Sequence, residues 1–157
     1  MQPKPGRELK EFNYLYREMD GIYHQLALRA GLPDSAFYIL YCIVEFGDGC
    51  LQRDIADQYH ISKQTVNSSI KNLETKGFLT LTRGKGRDMH LRLTTAGQEF
   101  AEKYILPVFE AENRIFAEMS PEETRSLLAL TAKYTGLLRK NAGKLLDSNQ
   151  KTEDTHT

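Results

Sequence analysis

The chain has 157 residues and 18.0 kDa, with 21 basic and 21 acidic side chains and a sequence pI near 6.9. Apolar residues at 40% and charged residues at 27% can build one compact core, which excludes a disordered or fibrous chain. The longest uncharged apolar stretch, residues 36–44, is too short for a bilayer, and two cysteines make neither a disulfide framework nor a complete zinc site.

The elements follow in chain order. Leu9, Phe12, Tyr16, Met19, Tyr23, Leu26 and Ala30 recur at alternating spacings of three and four, a heptad seam that Gly31 and Pro33 stop. Phe37, Leu40, Tyr41 and Val44 predict a second, shorter helix, broken at Gly47-Asp48-Gly49. Leu51, Ile55, Ala56 and Tyr59 give a third helix of about two turns. After His60-Ile61, Ser62 is a capping residue for a fourth helix with Val66, Ile70 and Leu73 inward, ending at Gly77. Residues 78–83 and 88–93 read as strands around the glycine-bearing basic tip Gly84-Lys85-Gly86-Arg87, a hairpin.

Thr94 caps a long helix carrying Phe100, Tyr104, Ile105, Val108, Phe109, Ile115 and Phe116, which Pro107 is expected to kink. Ser120-Pro121-Glu122-Glu123 is a capping box and a strong helix start. Leu127, Leu130, Tyr134, Leu137, Leu138 and Leu145 carry the last helix, and residues 147–157 are expected to fray as a disordered tail. The class is mainly α with a small β-hairpin.

Charge is not spread evenly. Residues 62–92 hold seven bases against two acids, a local charge of +5, and residues 93–130 hold three against seven. A basic middle beside an acidic helix suits a polyanion, although a solvated basic face would look the same by charge alone. Residue type separates the two readings. At 100° per residue, the outward face of the fourth helix holds Gln64, Asn67, Ser68, Lys71 and Thr75, without one carboxylate. Amides, hydroxyls and lysine are the groups that bond base edges and phosphate. Ser62, Lys63 and Thr65 occupy the first turn, where free backbone amides favour a phosphate. Arg83, Lys85 and Arg87 flank two glycines, and a thin basic loop of this kind fits a minor groove.

With these residues in view, the sequence resembles a MarR-family winged helix-turn-helix regulator. The resemblance is carried by Ser62-Lys63-Gln64-Thr65-Val66-Asn67, Ile70, Leu73-Glu74 and Gly77-Phe78-Leu79, and by Leu91-Arg92-Leu93-Thr94-Thr95-Ala96-Gly97. It implies a homodimer whose N- and C-terminal helices interlock, with two winged domains reading a palindromic operator in double-stranded DNA. Family members are commonly repressors released by small aromatic or amphipathic ligands, by oxidation or by metal. On this reading residues 7–32 and 94–146 form a helical dimerisation region, 33–93 the winged helix-turn-helix DNA-binding domain, and 147–157 the tail. The DNA-binding residues are expected to be Ser62, Lys63, Gln64, Thr65, Asn67, Ser68, Lys71, Arg83, Lys85 and Arg87.

Three positions depart from the family pattern. The wing reads Lys85-Gly86-Arg87 where Asp-x-Arg is usual, so either Asp88 orients the arginine or the arginine is freer. His60 stands where glycine is often found, at a turn that favours positive φ. Cys50-Leu51 replaces the expected hydroxyl cap before the short helix.

Other chemistries find little support. No basic-then-apolar export signal precedes the first helix, so the expected compartment is the cytoplasm, without membrane attachment. The four histidines, His24, His60, His90 and His156, are scattered, with no metal-ligand spacing, and neither a metal nor another cofactor is expected. No activated nucleophile or phosphate-cradling loop is present, so no catalytic residue is expected. Cys42 reads as a buried apolar thiol, and Cys50 has no neighbouring base to activate it. Two alternatives stay open: a winged-helix module that binds protein rather than DNA, and a thiol-based redox-sensing regulator. Tyr14, Tyr16, Tyr23, Tyr38 and Tyr41 crowd the first two helices; Tyr16, Tyr38 and Tyr41 are candidates for an aromatic effector, against the alternative of core and dimer packing.

Overall fold

A computed structural model describes residues 3–153. Two compact units divide the chain after Phe109. The first contains α1 (Arg7–Ala30), α2 (Asp34–Phe46), α3 (Gln52–Gln58), α4 (Lys63–Thr75), β1 (Leu79–Arg83), β2 (Met89–Leu93) and α5 (Thr95–Tyr104). Helix α6 (Leu106–Glu118) begins there and runs into the second unit, which also holds α7 (Pro121–Glu153). The fold is mainly helical with one two-stranded hairpin, in the predicted order. No single helix among the described residues is long and apolar enough to cross a membrane.

Helix α2 is the centre of the first unit. Ala36, Phe37, Ile39, Leu40, Cys42 and Ile43 are all buried. A helix with apolar residues on most sides must sit inside, and this one packs on α1, α3, α4 and α5. That breadth explains why periodicity alone marks only part of it, residues 37–44. The predicted inward residues of α4, Val66, Ile70 and Leu73, are buried beside Ile55 of α3 and Leu79 and Leu91 of the hairpin. Each fully buried aliphatic side chain contributes roughly 1.5–3 kcal/mol from apolar burial.

Helix α1 ends where expected. Gly31 adopts φ 68° and its N–H turns back to the carbonyls of Ala27 and Leu28, a left-handed cap that an L side chain would strain. Only the last turns of the heptad seam enter the core: Ala27 and Ala30 are buried, whereas Tyr16 is 59% and Met19 54% exposed.

The hairpin is antiparallel, with Leu79 opposite Leu93, Leu81 opposite Leu91 and Arg83 opposite Met89. A third piece of extended chain joins it, which the sequence pattern does not reveal. Leu51 bridges His90, the Gly49 N–H donates to the Leu91 carbonyl at 2.8 Å, and the Leu91 N–H donates to the Cys50 carbonyl at 2.9 Å. Backbone pairing therefore fixes the start of α3, whose N-cap Leu51 makes no side-chain cap bond. Asp48 adds a second tie by accepting from the Leu93 N–H at 2.9 Å.

The expected kink at Pro107 is a complete break. Helix α5 stops at Tyr104 and α6 restarts at Leu106, with Ile105 between them at φ −101° and ψ −50°. Proline lacks the N–H that would continue the helix, and its ring excludes the carbonyl four residues back. The capping box is present: the Ser120 N–H donates to Glu123 at 2.8 Å, and the Glu123 N–H donates to Ser120 Oγ at 3.2 Å. These bonds, the backbone one first, hold the Glu123 carboxyl below its ordinary pKa. Where polar composition predicts a tail from residue 147, α7 continues to Glu153, because nothing after the capping box breaks the helix; residues 154–157 lie outside the described residues.

Candidate nucleic-acid interface

Helix α4 is placed by its start. Ser62 caps it, its Oγ accepting from the Thr65 N–H at 3.1 Å, and the Ser62 and Thr65 hydroxyls are 2.8 Å apart. His60, in the turn before it, has φ 53°, the one positive φ at a non-glycine among the described residues. The turn therefore takes the backbone shape that usually calls for glycine, with an L side chain in it.

With Val66, Ile70 and Leu73 anchored inward, Gln64, Asn67, Ser68, Lys71 and Thr75 are all exposed, as the 100° projection predicts. Two of the hydroxyls are internally committed. Ser68 Oγ donates to the Thr65 carbonyl at 3.0 Å and Thr75 Oγ1 to the Lys71 carbonyl at 2.8 Å. Their protons are used and their lone pairs face out, so both act toward a ligand as acceptors.

The hairpin tip closes tightly, with the Gly84 N–H donating to the Asp88 carbonyl at 2.9 Å and Gly86 at φ 65°. Lys85 and Arg87 are exposed at the tip, and Arg83 is exposed at the end of β1. Asp88 does not hold Arg87. It pairs with Arg53 of α3 at 2.8 Å, so of the two alternatives for the wing the freer arginine is the one observed. Among the described residues Arg87 makes no ion pair.

Between the first turns of α3 and α4 and the wing lies an open cleft of about 410 Å³. Its lining brings together Lys63, Asn67 and Arg87 from the predicted set. Gln64, Ser68 and Lys71 continue along α4, and Arg83 and Lys85 lie on the wing beyond the cleft lining. The other six lining residues are absent from the predicted set, among them the polar residues Gln52 and Arg53 of α3. Gln52 donates from Nε2 to Asn67 Oδ1. The available signal was two polar residues opening a short helix that a helix-turn-helix sets against the first half of α4.

The tyrosines form a separate cluster. Tyr38 stacks on Tyr41 at 6.3 Å between centroids and meets Tyr59 edge-on at 5.7 Å; Tyr41 meets Phe109 edge-on at 4.5 Å. The Tyr59 hydroxyl donates to Glu45. Burial, then the neighbouring Cys42, Glu45 and Tyr16, raises the Tyr38 pKa. Tyr16 is thus near enough to be felt electrostatically while remaining largely exposed.

Neither thiol is activated. Burial, then Glu45, pushes Cys42 up to about 12, and burial, then Asp54, pushes Cys50 up to about 11. Among the described residues no group of three or more His, Cys, Asp or Glu could hold a metal ion.

Residues 30–88 match the model of the MarR family. No curated protein matches the chain. Solved structures similar in fold include a MarR family regulator from Neisseria meningitidis, at 20% identity and TM-score 0.73, covering 88% of this chain and 99% of that one. A Staphylococcus aureus MepR–DNA complex is 24% identical with TM-score 0.66, covering 86% and 99%. Staphylococcus aureus MarR in complex with salicylate and kanamycin is 19% identical with TM-score 0.64, covering 83% and 89%. The segment holding the helix-turn-helix and the wing tip thus matches the MarR family model, and the chain shares the fold of these solved structures.

Proposed function

We propose that this protein is a sequence-specific double-stranded DNA-binding transcriptional regulator, a ligand-responsive repressor that acts in the cytoplasm as a homodimer on a palindromic operator. One observation carries the reading. Lys63 and Asn67 of α4 and Arg87 of the wing, which makes no ion pair among the described residues, line one open cleft, so a major-groove helix and a minor-groove arginine face the same side. In this role Gln64 and Asn67 read base edges, Ser62, Lys63, Thr65 and Lys71 meet phosphate, and Ser68 accepts. Arg83 and Lys85 add charge around Arg87. The DNA held by the S. aureus MepR structure agrees with this reading.

The homodimer rests on apolar surface. Leu9, Phe12, Tyr16, Met19 and Tyr23 leave a stripe of α1 exposed along two heptads, and α7 exposes Leu127, Leu130, Leu137 and Leu138. Exposed apolar stripes of this kind, each along one helix, mark an interface. The stable partner is a second copy, because a two-fold dimer repeats the reading head and gives half-sites about 10 base pairs apart. Salicylate in the S. aureus MarR structure supports an aromatic effector, and the Tyr38–Tyr41 stack with Tyr16 nearby offers the walls for one.

The test combines assembly and selection. Analytical ultracentrifugation at micromolar concentration should give a dimer, and fragments selected from random DNA should share an inverted repeat. Salicylate should then release the selected fragment. A monomer, or recovered fragments with no common sequence, defeats the reading and favours a protein-binding winged helix.

A further inference from the structure

We propose that Gln52 is a positioning residue that decides which base edge Asn67 reads; this rests on the DNA-binding reading above. Gln52 opens α3 and is half-buried, whereas Asn67 stands exposed about one turn into α4, on the wall of the cleft shared with Lys63 and Arg87. The Gln52 amide nitrogen donates to Asn67 Oδ1. An asparagine amide carries an acceptor oxygen on one side and two N–H donors on the other. Unrestrained, it can turn by 180° and offer either. Here the Gln52 NH₂ holds the oxygen, and a turn of Asn67 alone would set two NH₂ groups against each other.

Asn67 therefore presents donors outward. The bidentate adenine contact needs both its oxygen and its nitrogen on the base. A donor edge instead fits acceptors in the major groove, guanine N7 and O6 or thymine O4. Gln52 thus biases Asn67 toward guanine or thymine at one position of each half-site, without meeting the base itself.

The experiment is selection from a random double-stranded library with the full-length wild type, Gln52→Glu, Gln52→Ala and Asn67→Ala. The selected motifs are checked by binding and the folds by thermal melting. Glutamate only accepts, so in Gln52→Glu the Asn67 NH₂ turns toward α3 and its oxygen turns outward. The position lost in Asn67→Ala should then switch from guanine or thymine to adenine or cytosine, by about 5-fold in relative affinity, the worth of one hydrogen bond. Gln52→Ala should flatten the preference at that position alone. Gln52→Met, of similar volume, stands in for it should the alanine variant not fold. A wild-type motif that both Gln52 substitutions leave unchanged overturns this inference and leaves DNA recognition standing. A wild type that yields no motif overturns both.

Discussion

The two arginines that border the cleft should behave in opposite ways when removed. Arg87 is exposed and makes no ion pair among the described residues, whereas Arg53 is bound to Asp88 at 2.8 Å. Arg87 is therefore free to replace counterions on a phosphate backbone, and Arg53 is already neutralised. Arg87→Ala removes one such contact per subunit and two from the proposed dimer. At about 0.9 per phosphate, the slope of log K against log salt should flatten by roughly 1.8. Between 50 and 200 mM salt the gap between wild type and variant should then narrow by about 10-fold. Arg53→Ala should change the slope little, and Arg87→Lys, which keeps the charge, should restore most of it. The assay is fluorescence anisotropy on one selected and one scrambled fragment across that salt range. A flattened slope in Arg53→Ala with an intact one in Arg87→Ala would show that the wing arginine is not the contact.

Further outcomes follow from the same structure. An alanine Cβ at Gly97 would stand 1.8 Å from the Phe78 carbonyl oxygen, which also accepts from the Thr94 N–H at 3.1 Å; Gly97→Ala should therefore destabilise by about 3 kcal/mol in urea unfolding. His60→Gly relieves a φ of 53°, and after the extra chain entropy of glycine it should stabilise by about 0.5–1 kcal/mol in the same assay. With Cys50 raised from 9.0 to about 11, folded protein at pH 8 holds about 100-fold less thiolate there, so iodoacetamide should label it correspondingly more slowly than in denatured protein. The folded thiols bind the proton more tightly, so their share of stability is complete below pH 9 and is lost as pH rises toward 11 and 12, and peroxide in modest excess should leave DNA affinity unchanged.

The parts of the fold that were legible in the sequence are those set by neighbours in the chain. The left-handed glycine after α1, the Ser62 cap, the Ser120–Glu123 box and the inward stripe of α4 each depend on residues within one or two turns. Pairings across long separations were not legible. The Leu51–His90 bridge joins residues 39 apart, and the Gln52–Asn67 bond joins two helices whose approach angle no local pattern encodes. Asp88 illustrates the same limit: as the acid next to Arg87 in the chain it is the obvious partner, yet the hairpin turn directs it across to Arg53. The departures at His60 and Leu51 were visible as departures, and the structure supplies their consequences, a positive φ in one case and backbone pairing in place of a cap in the other.

The central claim is that α4 reads base sequence, and the ratio of affinities for a selected and a scrambled fragment tests it most directly in wild type and Asn67→Ala. Asn67 is exposed on the outward face of α4 and carries no charge, so its loss should leave phosphate contacts intact. The account predicts that Asn67→Ala lowers affinity for the selected fragment by about 1–3 kcal/mol, roughly 5- to 150-fold, and leaves the scrambled fragment unchanged. Equal loss on both fragments, or no loss on either, would contradict it.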